Sequence, residues 1–261
     1  MPHADLAGIL QALALVGILA LTLRLFLTGL WRHYPVFFWY FLFRIPNTSW
    51  PLVVKNGTFR YEELWISTEP ISWIFHILVV VELYRLVLYK HKGIYSLLRW
   101  AMYSSVTLAI GLSILSLLPK IQPQASADTR ILNYWFATGR GIDFALAIFL
   151  LFILLFLSRF PVQLNRNTLL HAGLYTLFFF GNALVLFVRT LAGSSSPYFP
   201  QINVAGQLIS IAAIYCWVFL LNKRGEEVKR SFLPTFSVRH EEMALRQLEA
   251  LNATLLRASR K

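Results

Sequence analysis

Eight polar side chains stand inside long apolar stretches of this 261-residue chain, and they fall into two sets. The first is Arg24, Arg44 and Glu82, with Arg85 one turn beyond Glu82. At a rise of 1.5 Å per residue, Arg44 lies ~12 Å, Glu82 ~10 Å and Arg24 ~9 Å from the same end of their stretches. Ionisable groups at such depth in an apolar helix are site candidates by default. One reading is an Arg44–Glu82 ion pair that ties three helices together, with Arg24 and Arg85 reaching back to the surface. The other is an anion-accepting pocket, because the layer holds more positive than negative charge. The second set is His76, Asn182 and Gln207 at ~20 Å from that end, with Asn47 slightly lower. These four either line a cavity open to the opposite side or hydrogen-bond between helices, the latter worth about 1 kcal/mol or less each.

Other chemistry is sparse. The chain has no HExxH, P-loop, GxGxxG or nucleophile elbow, and its single cysteine, Cys216, precludes an internal disulfide. His171 is too far in depth from His76 to share a metal ion. No catalytic residue, metal site or cofactor is predicted. Acid–base catalysis would need a partner near His76 or Glu82, and the sequence names none. Arg140 and Asp143, one turn apart, read as an exposed helix-start pair. Gly181-Asn182 reads as a point of close helix approach. Asn56-Gly57-Thr58 is a glycosylation sequon.

The elements that must position these residues are membrane spans. The chain is 57% apolar and only 14% charged, with a mean hydropathy of +0.59. Soluble domains carry about 25% charged residues. Seven stretches are long enough to cross a bilayer: Leu6–Leu30, Val36–Val54, Pro70–Tyr89, Trp100–Pro119, Ile142–Phe160, Leu169–Leu191 and Ile202–Leu221. The expected fold is therefore an all-α membrane protein, a bundle of seven transmembrane helices over residues 1–222. The second span, with Arg44, Pro46 and Pro51, is expected to kink or break. The N-terminus lacks the basic residues of a signal peptide, so Leu6–Leu30 reads as a retained span.

Net charge is +12. Its placement points to membrane orientation rather than to nucleic acid. Arg32, Lys90, Lys92, Arg99, Arg159, Arg166 and the basic tail put fifteen Lys and Arg on one side of the membrane, against six on the other. The richer side is cytoplasmic by the positive-inside rule, with the N-terminus outside and the C-terminus inside. The outer loops Lys55–Glu69 and Lys120–Gly141 are aromatic and read as short interfacial helices or a lid. Residues 223–261 form a basic tail. Ser237 opens an amphipathic helix there, with Ala244, Leu248, Leu251, Leu255 and Ala258 on one seam. That helix can lie on anionic lipid, pair with a protein partner or pack on the bundle.

The topology resembles that of rhodopsins and G-protein-coupled receptors, and Glu82-Leu83-Tyr84-Arg85 faintly resembles the receptors' acidic-Arg motif. The last span has neither NPxxY nor a lysine, so a retinal Schiff base is excluded there. The stretches TEPISWIFHILVVVELYRLVL, GRGIDFALAIFLLFILLFLSRFPV and FFFGNALVLFVR resemble bacterial seven-helix integral membrane proteins of this length. That resemblance implies a bacterial inner membrane and carries no activity over. The readings left are a non-enzymatic sensor or scaffold that binds a small ligand or partner, a carrier of a small anion or lipid, and a structural subunit of a membrane complex. An intramembrane enzyme is the weakest. Because the spans do not depend on the tail helix, deletion of Ser237–Lys261 is expected to leave the melting temperature in detergent unchanged. Collapse of the bundle on truncation would refute that.

Overall fold

The computed structural model describes residues 2–53, 59–88, 100, 103–109, 111, 127–159, 164–192, 198–227, 229–230, 243, 246–247, 249–250 and 252–254. Almost all of them are helical. The long helices are α1 (Pro2–Thr28), α2 (Pro35–Val53), α3 (Phe59–Leu88), α4 (Ala127–Arg159), α5 (Arg166–Ala192) and α6 (Phe199–Leu220). One 3-10 turn, Leu30–Arg32, follows α1. A two-residue strand, β1 (Leu164–Asn165), precedes α5. After α6 come the single turn α7 (Arg224–Glu227) and β2 (Lys229–Arg230).

Among the described residues, five helical segments are long and apolar enough to cross a membrane: Leu6–Thr28, Glu63–Val87, Thr138–Leu155, Arg166–Arg189 and Pro200–Leu220. The bundle's outer surface suits that setting. Leu27, Val53, Leu177, Phe180 and Phe219 are all exposed, an apolar coat that water would not tolerate as a contiguous face. The chain is thus an all-helical protein fitted to a membrane. Helix α2 is outside the five because Arg44, Asn47 and its prolines lower its hydropathy. It nevertheless runs unbroken through Pro46 and Pro51, where a break was expected. The expected fourth span, Trp100–Pro119, lies largely outside the described residues, although 103–109 is helical. Most of the amphipathic tail helix is outside them as well.

The two aromatic outer loops differ from expectation. From Phe59 and from Ala127 onward they are not separate elements. They are the first turns of α3 and α4, which reach 30 and 33 residues. Helix α3 accommodates Pro70, and α4 runs on through Gly139 and Gly141. Helix α4 therefore rises ~50 Å in total, beyond what a bilayer core of ~30 Å requires.

Side-chain contacts give each helix its direction. Tyr40 meets His76, and Val36 meets Glu82, so α2 and α3 are antiparallel. Gly181 abuts Ile209 and Gly206 abuts Val185, so α5 and α6 are antiparallel. A Cβ at Gly181 would lie 2.9 Å from Ile209 Cγ2, which bears out the close approach expected there. Helices α3 and α4 are different. Trp73 lies against Gly139, His76 against Asp143 and Tyr84 against Phe149. These two neighbours run parallel. Helices α1 and α6 are parallel too, through Gly17 with Ile214 and Arg24 with Leu221.

The ends of α1, α3, α4 and α6 and the starts of α2 and α5 therefore share one end of the bundle. Helix termini there leave backbone groups unbonded, and side chains from other helices take them. The Glu82 carboxylate accepts the N–H groups of Val36 at 2.9 Å and Phe37 at 3.1 Å, at the start of α2. Arg24 Nη2 donates to the carbonyl of Leu221, at the end of α6, at 2.5 Å. A carboxylate on a helix N-terminus and a guanidinium on a C-terminus both match the helix dipole. This corrects the expected Arg44–Glu82 ion pair. Arg44 is about two turns up α2 from the residues that Glu82 holds, and no ion pair joins the two. Replacement of Glu82 by Ala is expected to remove about 1–2 kcal/mol through lost capping, read as a lower melting temperature. Glu82→Gln, which keeps one acceptor, is expected to lose less. Equal stability of all three proteins would exclude the cap.

Candidate functional site

Two polar centres lie in the bundle, one above the other, each built by several helices. The upper centre starts with His76 on α3, which is only 7% exposed. Its Nε2 is 3.1 Å from the Tyr40 hydroxyl on α2, and its Nδ1 is 3.3 Å from Asp143 Oδ1 on α4. Asp143 is 6% and Tyr40 2% exposed. Tyr40 and His76 share a hydrogen bond in which either partner can donate, according to the imidazole tautomer. The Asp143 contact is close but off the line of a good hydrogen bond. Phe178 and Phe179 of α5 close the other side with their ring edges. Arg44 and Glu69 stand within electrostatic reach of Tyr40, and Glu69 also faces His76 and Asp143. Glu69 is anchored by Trp73, whose ring packs edge-on against Trp135.

Asp143 was expected as an exposed partner of Arg140. It is buried because α4 begins at Ala127, so Asp143 is more than four turns inside the helix, not at its start. That one shift supplies the partner His76 lacked in the sequence.

The lower centre gathers the connections at the shared end. Glu226 of α7 accepts from Tyr34 at 2.8 Å, Asn167 at 2.6 Å and Asn165 at 3.0 Å. Asn167 Nδ2 also donates to the carbonyl of Asn222. Tyr34 shares a 3.2 Å hydrogen bond with Thr168. Burial, and next the Glu226 carboxylate, hold the Tyr34 phenol well above its ordinary range, so it remains the donor. Strands β1 and β2 pair antiparallel, Leu164 with Arg230 and Asn165 with Lys229. The chain past Asn222 is thereby fastened to the turn before α2 and to the start of α5. Between the centres lies an aromatic core. His171 is fully buried, its ring 4.5 Å from those of Tyr34 and Phe37, with Tyr175 and Trp217 behind.

The eight candidates from the sequence are dispersed. His76 is in the upper centre, with Arg44 at its edge. Asn182 is half-buried and Gln207 leaves a buried Oε1 without a partner, and no hydrogen bond joins either to His76. Asn47 accepts from Trp50 within α2. Arg24 and Glu82 are occupied by helix ends, and Arg85 is exposed one turn from Glu82. The sequence reading missed Tyr40, Glu69, Asp143, His171, Tyr175 and Glu226. Among the described residues, no group of three His, Cys, Asp or Glu side chains is placed to hold a metal. No family model, curated relative or solved structure matches the chain.

A Cβ on Gly225 would overlap the Asn167 amide. Gly225→Ala must therefore displace Asn167 from Glu226 and Asn222, a loss of about 1–3 kcal/mol for two hydrogen bonds. In an Asn167→Ala background the same substitution is expected to be near neutral. A double-mutant cycle by thermal denaturation reads the coupling, and simple additivity would exclude it.

Proposed function

We propose that the chain is a seven-helix membrane protein, a non-enzymatic sensor or scaffold that binds a small ligand or partner through the upper centre and reports it through the tail. The parallel pairing of α3 and α4 supports the seven-span count. Two helices that run the same way need a return crossing between Leu88 and Ala127, and ~20 residues suffice for one. The basic end of the bundle is then cytoplasmic, and the amphipathic tail meets anionic lipid or a protein partner there. Resemblance to bacterial integral membrane proteins favours a bacterial inner membrane.

The observation that carries the reading is the polar centre of Tyr40, His76 and Asp143, drawn from three helices at a depth where polar groups are costly. The lower centre adjoins the start of α2, the helix that carries Tyr40, and grips the segment that leads into the tail, so a rearrangement above has a route to it through α2. Against the carrier reading, Arg24 and Glu82 have a structural task at helix ends. The structural-subunit reading has no observation of its own in its favour.

Native mass spectrometry of the full chain released from native membranes tests the proposal. The expected result is a bound small species on the wild type that is lost from His76→Ala and Asp143→Ala while both variants still fold. A wild type free of any bound species, with a melting temperature indifferent to membrane extract, would refute it.

A further inference from the structure

The lower centre takes up the acidic charge at its end of the bundle and leaves the basic charge outside. Glu226 accepts from Tyr34, Asn167 and Asn165 at 2.8, 2.6 and 3.0 Å. Glu82 accepts the N–H groups that open α2. The cations beside these groups have no such engagement. Arg32 is two residues before Tyr34, Arg166 lies between Asn165 and Asn167, and Lys223 and Arg224 lead into Glu226. Among the described residues, no ion pair joins any of the four to a carboxylate. Arg32, Lys223 and Arg224 are exposed and Arg166 is half-buried. Exposed Glu227 offsets one of these charges. Strand β2, which is Lys229 and Arg230, pairs with Asn165 and Leu164 and brings two more basic residues to the same place in the fold.

The level of this basic patch is defined by the helices. The apolar segments of α1 and α6 end at Thr28 and Leu220, and that of α5 begins at Arg166. The cations therefore stand where hydrocarbon gives way to headgroups. Trp31 marks the same level, since tryptophan favours that layer. Its half-buried indole carries the Arg32 guanidinium over its face, 5.3 Å from the ring centre. On the membrane side of the patch, Leu27 of α1 and Phe219 and Leu220 of α6 are exposed. Basic side chains that border an exposed apolar rim match an amphiphile, with an anionic head on the cations and acyl chains on the rim. A nucleic acid or an acidic protein arriving from water would meet the charge and not the rim. Three of the four cations are arginines, whose planar fork suits phosphate oxygens.

We propose that this end of the bundle binds the phosphate headgroup of an anionic phospholipid through Arg32, Arg166, Lys223 and Arg224. The surface belongs to the folded bundle and is separate from the amphipathic tail helix. A lipid held there spans the turn before α2, the start of α5 and the segment after α6. Those are the three segments that Glu226 joins from within, so the lipid fastens from outside what the carboxylate fastens from inside. Attraction of this kind weakens as salt rises. The upper centre takes no part, so its failure to hold a small ligand would leave lipid binding untouched.

The test is native mass spectrometry of the delipidated full chain mixed with equal amounts of phosphatidylglycerol and phosphatidylcholine of the same acyl chains. The wild type is expected to retain phosphatidylglycerol several-fold over phosphatidylcholine, and to melt at a higher temperature with the former. In the triple variant Arg32→Gln, Arg166→Gln, Arg224→Gln the two lipids should be retained equally. Those three side chains make no hydrogen bond among the described residues, so this variant should melt with the wild type in detergent alone. The charge-matched triple variant Arg257→Gln, Arg260→Gln, Lys261→Gln, in the tail, should keep the wild-type preference. Equal retention of the two lipids by the wild type, a preference that survives the first set of substitutions, or the same loss in both triple variants would overturn the proposal. An equal rise in melting temperature with inorganic phosphate at the lipid's concentration would assign the site to free phosphate and overturn it as well.

Discussion

Helix ends that have no water to turn to constrain the whole bundle. A bilayer offers no partner to a free N–H or carbonyl, so each terminus near it must be satisfied by the protein. Here the solution is distributed across the chain. Glu82, near the end of α3, closes the start of α2, and Arg24, near the end of α1, closes the end of α6. Each charge thus bridges two helices. Helix directions, the packing of parallel pairs and the depth at which His76 meets Asp143 all follow from where these ends are tied.

The tie also explains why Arg24 and Glu82, counted into one layer, are engaged at the ends of different helices. Depth along a helix is legible from residue counts, but azimuth is not. Arg24, Arg44 and Glu82 were placed in one layer by counting, yet each faces a different neighbour. Glu82 also proves to belong to the helix-end layer once the start of α2 is known. The fold was legible where apolar length decides it, as in α1, α5 and α6, whose ends fall within a few residues of expectation. It was illegible where helices outrun their apolar segments. From Phe59 and from Ala127 onward nothing requires a loop, and the aromatic character suits a helix as well as a lid. Misplacing the start of α4 hid Asp143, and hiding Asp143 left His76 without chemistry. His171 and Tyr175 were hidden for another reason: their significance lies in convergence with Tyr34 and Trp217 from other helices, which no spacing on one helix reveals.

Close approach is secured by absence of side chain rather than by polarity. Gly17, Gly181 and Gly206 each admit a side chain of a neighbouring helix to within 3.2 Å of where a Cβ would stand. Lipid offers no hydrophobic gain on helix association, so such packing carries much of the stability of a membrane bundle.

The parallel alignment of α3 and α4 has a consequence for biogenesis. A nascent chain enters the membrane from its N-terminus, and consecutive antiparallel helices can pair as they emerge. Helices α2 and α3 form such a hairpin, so Tyr40 reaches His76 early and shields it. Asp143 cannot arrive until the chain has turned back and α4 has been threaded. The α1–α6 contact and the Glu226 clasp must wait longer still, for nearly the whole chain. The upper centre is therefore assembled in two stages, and its carboxylate enters the membrane before its final neighbours are complete.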